Sequence, residues 1–246
     1  MAGIVAAAGT AALTGYLTSA FDKTLSVVTG TDSKPPLTWT VEINRTPCEG
    51  ASREYVLPSL PNRPVSGVGM PKPVEQNAPD GGYTDAVITL QGSSGAAVVL
   101  HAFRIEMVQR AEPTGVAITK VIQCGGITPR NFTVDLDKPA PRPIPLPGTD
   151  EDGNEKDPVR FPFSVSDSDA EIFHIFGATR DCDCRWRILV DWSSQGRKGT
   201  ATIDDNGLPF RTVGIKGLPG YEVADGPSDT YRWKRRPPAP APIPLR

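Results

Sequence analysis

Histidine is almost absent from this chain: His101 and His174 are the only two in 246 residues. Acyl transfer through serine or cysteine needs an imidazole oriented by a third group, so such chemistry would have to run through one of these two. A basic excess is missing too. Lysine and arginine number 26 against 28 acidic residues, a formal charge of −2, with little to draw the chain to nucleic acid. The sequence contains no glycine-rich nucleotide loop, no paired C-x-x-C knuckle and no internal repeat. Its Gly92-Ser93-Ser94-Gly95 run lacks the glycine spacing of a G-x-S-x-G elbow and reads as a turn. Hydrophobic residues make up 38%, which is low for a globular chain but too high for disorder throughout.

Glycine and proline are abundant, at 24 and 26 residues. Together they are about a fifth of the chain against a typical ~12%. Proline removes a backbone donor and glycine costs backbone entropy, so a helical bundle is excluded. The expectation is an all-β fold, an antiparallel β-sandwich with an N-terminal helix and long Pro/Gly-rich loops. Residues 37–44 alternate, with Leu37, Trp39, Val41 and Ile43 on one face. Residues 185–192 do so most clearly, placing Trp186, Ile188, Val190 and Trp192 inward. Further strands are predicted at 84–91, 96–108, 116–124, 131–136, 161–165, 171–178 and 200–203. His101 falls on the face of Phe103 and Ile105, where it reads as a core or surface histidine. Segments 58–82 and 139–157 read as long loops, and the tail from Lys234 as extended and mobile. The expected organisation is a leader at 1–30, a sandwich at 37–231 and a basic, proline-rich tail at 232–246.

Cys48, Cys124, Cys182 and Cys184 are even in number and allow three disulfide connectivities. Only Asp183 separates Cys182 from Cys184. Strain disfavours joining those two, so each is expected to reach back to Cys48 or Cys124. Free buried thiols and a metal site are the alternatives. Residues 2–21 carry no charged side chain. Roughly 20 residues at ~1.5 Å each span a ~30 Å hydrocarbon core, so this segment reads as a membrane anchor, with a packed helix or cleaved leader as alternatives. Its small residues at spacing four, Ala7, Ala11 and Gly15, suit helix contacts in a homo-oligomer.

From Phe161 the chain carries an F-P-F-x-V-S start, a C-D-C-x-W core and a G-R-x-G-T…D-D-x-G-x-P-F-R-T hairpin. This region resembles uncharacterised actinobacterial proteins, especially from streptomycetes. The resemblance covers the last third well and the middle loosely. It implies a membrane-proximal segment followed by an all-β domain, and it implies no activity. Some such proteins also carry a helix-turn-helix module. That pattern is absent here, so DNA binding does not carry over.

Other features have modest readings. Asp150, Asp152 and Asn154 match the first three ligands of a calcium loop, but glycine falls at position four and Phe161 occupies position twelve, so a solvated loop is expected. Asp181, Asp183, Asp204 and Asp205 would do acid/base work only if they converged in a cleft. Asn44 and Asn131 open glycosylation sequons. No catalytic residue, cofactor or metal is assigned. The expected function is a non-enzymatic interaction module for an unknown protein partner, membrane-associated or at the cell surface, with a cytoplasmic location as the alternative. The competing readings are an assembly subunit contacting through its leader and tail, and a hydrolase with a loop-built site.

Overall fold

The computed structural model describes residues 34–44, 52–62, 64, 77–121, 130–149, 154–225 and 231–237. Residues 2–21, read above as an anchor, Cys48, Cys124, the calcium-like positions Asp150 and Asp152, and the tail beyond residue 237 lie outside them. The chain divides into units Met1–Pro35 and Pro36–Arg246; the fold below belongs to the second.

Its named elements are all strands: β1 (Leu37–Ile43), β2 (Ser52–Leu57), β3 (Asp80–Gly81), β4 (Tyr83–Gly92), β5 (Val98–Ala111), β6 (Val116–Val121), β7 (Asn131–Asp135), β8 (Ile144–Leu146) and β9 (Gly148–Thr149). After these come β10 (Glu155–Lys156), β11 (Phe163–Val165), β12 (Glu171–Ala178), β13 (Asp183–Ser194), β14 (Arg197–Ile203), β15 (Phe210–Val213), β16 (Gly220–Asp225) and β17 (Tyr231–Arg236). One sheet runs β1-β4-β12-β7-β8, and a larger one β11-β5-β13-β15-β3-β2-β6-β16-β17, with β14 also on β13. Most pairings are antiparallel. However, β7 with β12, β3 with β15 and β6 with β16 are parallel, so both sheets are mixed rather than purely antiparallel.

The main core draws on both sheets. Ala86, Ile88, Leu90, Phe173 and Ile175 come from the first, and Leu100, Phe103, Trp186, Ile188 and Val190 from the second. β13 supplies the spine, because strict period-two alternation buries every second residue from Cys184 to Ser194. Each large side chain so buried contributes roughly 1.5–3 kcal/mol. The F-P-F, C-D-C-x-W and hairpin motifs are largely parts of this core. Phe161 and Phe163 of F-P-F pack edge-on at 4.9 Å, and each also approaches Phe103 or Phe173. Phe210 of the hairpin lies 4.8 Å from the Trp186 ring.

Four expectations change. First, β5 carries two bulges against β13. Asp191 pairs with Ala102 and Trp192 with Leu100, leaving His101 unmatched; Val108 is skipped in the same way between Met107 and Gln109. The extra residue at 101 keeps Leu100 and Phe103 buried and turns His101 to solvent, off the Phe103 face. Second, Cys182 and Cys184 are bonded to each other, with Cα atoms 5.3 Å apart. That falls within the ordinary disulfide range of about 4.4–6.8 Å. Cys182 sits in a turn, held where its N–H donates to Thr179 Oγ1 and its carbonyl accepts from Gly214 N. Third, Lys234 to Arg236 belong to β17, hydrogen-bonded along β16, rather than to a mobile tail. Fourth, within segment 139–157, β8 joins β7 and β9 pairs with β10, so part of this loop is sheet.

Candidate functional site

The two histidines meet different halves of a catalytic triad. On the large sheet, exposed His101 places Nε2 2.7 Å from Ser193 Oγ. The neighbouring Asp191 is taken up by Arg104, which donates two hydrogen bonds of 2.7 Å. On the other sheet, His174 Nδ1 lies 3.2 Å from the buried Asp85, whose other oxygen accepts from Asn44 Nδ2 at 2.7 Å. A serine with a histidine stands on one sheet and a histidine with a carboxylate on the other. Among the described residues the three groups are not assembled.

The aspartates also fail to converge. Asp181 pairs with Lys216 and Asp183 with Arg211. Asp204 caps the turn by accepting from Gly207 N and pairs with Arg187. Trp186 and Trp192 are core, as expected, and Trp233 donates its indole N–H to Pro61 O at 2.6 Å. Asn131 is 4% exposed within β7, which shuts its sequon away from a glycosylating enzyme in the folded chain. Among the described residues no three metal-ligating side chains gather, and no helix is long and apolar enough to cross a membrane.

A different place concentrates unfinished chemistry. An open cavity of about 240 Å³ lies where β3, the start of β4, and the β13/β15 pair meet; Asp80, Arg185, Asp205, Leu208, Phe210 and Arg211 are among the residues that line it. At its buried end Asp80 is 2% exposed and Arg53 0%. Arg53 Nη2 reaches Asp80 Oδ2 at 2.9 Å, and Nη1 donates to Asn44 O at 2.5 Å. Burial works to lower the Arg53 pKa, but the Asp80 charge and hydrogen bond, helped by Tyr83 and Tyr55, leave it raised, so the guanidinium stays charged. The second Asp80 oxygen, Oδ1, is buried without a hydrogen-bond partner, as are Nε and, apart from its ion pair with Asp80, Nη2 of Arg53.

On the outer side, Arg185 and Arg211 stand directly opposite each other across β13 and β15. Arg211 donates Nε and Nη2 to Asp183 at 2.9 and 2.6 Å, and these bonds raise its pKa against the opposing effect of burial. Asp183 is thereby used. Half-buried Arg185 has no ion-pair partner among the described residues. Beside it, Leu208 projects from the turn before β15, 68% exposed. The cavity thus offers a guanidinium that forms no ion pair among the described residues, a carboxylate with one buried oxygen free of hydrogen bonds, and an apolar lip.

Neither Arg185 nor Asp80 stands out in the sequence as a candidate site residue. Arg185 carried a detectable signal, since outward alternation on β13 set it among Asp183, Arg187 and Asp191. Asp80 carried none, lying in an aperiodic stretch whose two-residue strand depends on distant partners in β2 and β15. Compared with known proteins, the chain matches no family model, no curated protein and no solved structure.

Proposed function

We propose that the protein is a non-enzymatic binding module, a β-sandwich whose cavity at Arg185 and Asp80 receives the end of a partner chain. One observation carries this reading: Arg185, which forms no ion pair among the described residues, lines the same cavity as Asp80, whose buried Oδ1 has no hydrogen-bond partner. A buried polar atom left unsatisfied costs about 1–3 kcal/mol, so a ligand that supplies the missing groups recovers that cost. The complementary ligand presents an anionic oxygen to Arg185 and, a few atoms away, an N–H to Asp80. The carboxyl terminus of a peptide has both. The volume supports an end group over a whole cofactor, because sites for drug-sized ligands run to about 300–1,000 Å³. Leu208 would then pack an apolar side chain of the bound segment.

In this reading residues 2–21 hold the module at a membrane, and the actinobacterial proteins it resembles share the layout of anchor and β domain. The test uses acetyl-Ala-Ala-Glu with a free carboxyl terminus, and its carboxamide, titrated calorimetrically into the full chain. The free acid should bind and the carboxamide bind more weakly. Arg185→Gln should weaken the free acid roughly tenfold, the scale of one charge-assisted hydrogen bond. Absence of binding, or binding indifferent to Arg185→Gln, overturns the reading.

A further inference from the structure

The edge of the smaller sheet carries an inference independent of the cavity. β1 is the outermost strand of that sheet. It pairs with β4 so that residue numbers sum to 129, from Leu37 with Gly92 to Ile43 with Ala86. Asn44 N donates to Asp85 O, and Ser93 N to Pro36 O. In an antiparallel ladder hydrogen-bonded pairs alternate, so Thr38, Thr40 and Glu42 turn their backbone groups toward β4. Leu37, Trp39, Val41 and Ile43 turn theirs outward, and no described strand takes them up. These same four residues point their side chains toward the core, where Trp39, Val41 and Ile43 stay only partly buried. Among the described residues, the edge thus joins backbone donors and acceptors that no strand takes up to a half-covered apolar row. It carries no proline or lysine within its seven residues to blunt it.

We infer that β1 pairs antiparallel with β1 of a second copy of this chain, about a two-fold axis at Thr40. The sequence sets that register. The outward-bonding residues are 37, 39, 41 and 43, symmetric about 40, and only a pairing centred there engages all seven residues. It opposes Trp39 to Val41 of the partner, an aromatic and β-branched pair, and Thr40 to Thr40 of the partner at the closer non-hydrogen-bonded spacing. The one charge, Glu42, faces Thr38 of the partner, so no like charges meet. The two sheets then continue as one, and the apolar rows adjoin across the axis. A contact built on one short strand buries less than the ~1,200 Å² of a standard interface, which makes the dimer a weak one.

Sedimentation equilibrium of the full chain, in a concentration series reaching the millimolar range, reads the association. Three variants give it direction. Thr40→Lys sets lysine against lysine on the axis and should weaken the dimer roughly fivefold or more, as should Thr40→Glu. An equimolar mixture of the two variants should associate more tightly than either alone, a recovery that only a two-fold contact at this residue gives. Val41→Pro removes an outward N–H and spares the ladder to β4, so it should abolish the dimer while the circular dichroism spectrum stays unchanged. A monomer throughout the series overturns the inference. So does a dimer unaffected by these variants, which would place the contact elsewhere, and so does mixing without recovery.

Discussion

Trp186 is fully buried, and its surroundings show how tightly one residue specifies this core. Its indole N–H donates to Thr212 Oγ1 at 3.1 Å, and that hydroxyl lies 2.8 Å from Thr84 Oγ1, which ties the two sheets together. A Cβ at Gly177 on β12 would strike the six-membered ring of the indole. Gly177→Ala should therefore cost about 1–3 kcal/mol through overpacking, and Trp186→Ala about 3–5 kcal/mol, both read by urea denaturation. Asp191 sets a pH dependence. Hydrogen bonds from Arg104, then from Thr200, outweigh burial and hold its carboxyl below the ordinary range. The unfolded chain takes up that proton first, so this stabilisation is full above the ordinary carboxylate pKa and is lost as pH falls through the lower folded value. The pair is partly exposed, so Asp191→Asn should cost only about 0.2–1 kcal/mol at neutral pH. The cost should vanish below the folded pKa, which denaturation at several pH values would show.

Elements were legible wherever alternation was strict and local. β1 and β13 follow their sequence pattern residue by residue, because a period of two sorts side chains to two faces with no help from elsewhere. Alternation misled at His101, since a bulge is a property of two strands together and the extra residue shows only against its partner. The carboxyl-terminal strand was missed for a similar reason. Lysine and arginine before a proline run suggest a solvated tail, yet Arg236 Nη2 donates to Glu54 Oε1 at 2.8 Å, a residue only 4% exposed and 182 positions earlier. Arg236→Gln should cost about 1–3 kcal/mol by removing a charged donor from a buried carboxylate. Amide hydrogen exchange should then speed up through Tyr231–Arg236 ahead of the remainder of the large sheet.

At the scale of the whole molecule, composition conveyed the all-β class, because so much proline and glycine leaves little room for helices. It did not convey the mixed sheets. The parallel pairs β7/β12, β3/β15 and β6/β16 join segments far apart in sequence, and such crossovers leave no local periodicity. The cavity is hidden for the same reason, since Asp80 and Arg185 become neighbours only once the large sheet closes around β3 and β15. The disulfide adds a short covalent loop at the entry to β13, beside the turn that orders Thr179 to Cys182. The most direct test of the binding reading is a nitrogen-15 spectrum of the arginine side chains, recorded while acetyl-Ala-Ala-Glu is added to the full chain. Binding at the cavity should give a saturable shift of the Arg185 Nε–H signal, a smaller one at Arg211, and none at Arg104, which is already held by Asp191. Equal shifts at all three, or none at Arg185, would contradict it.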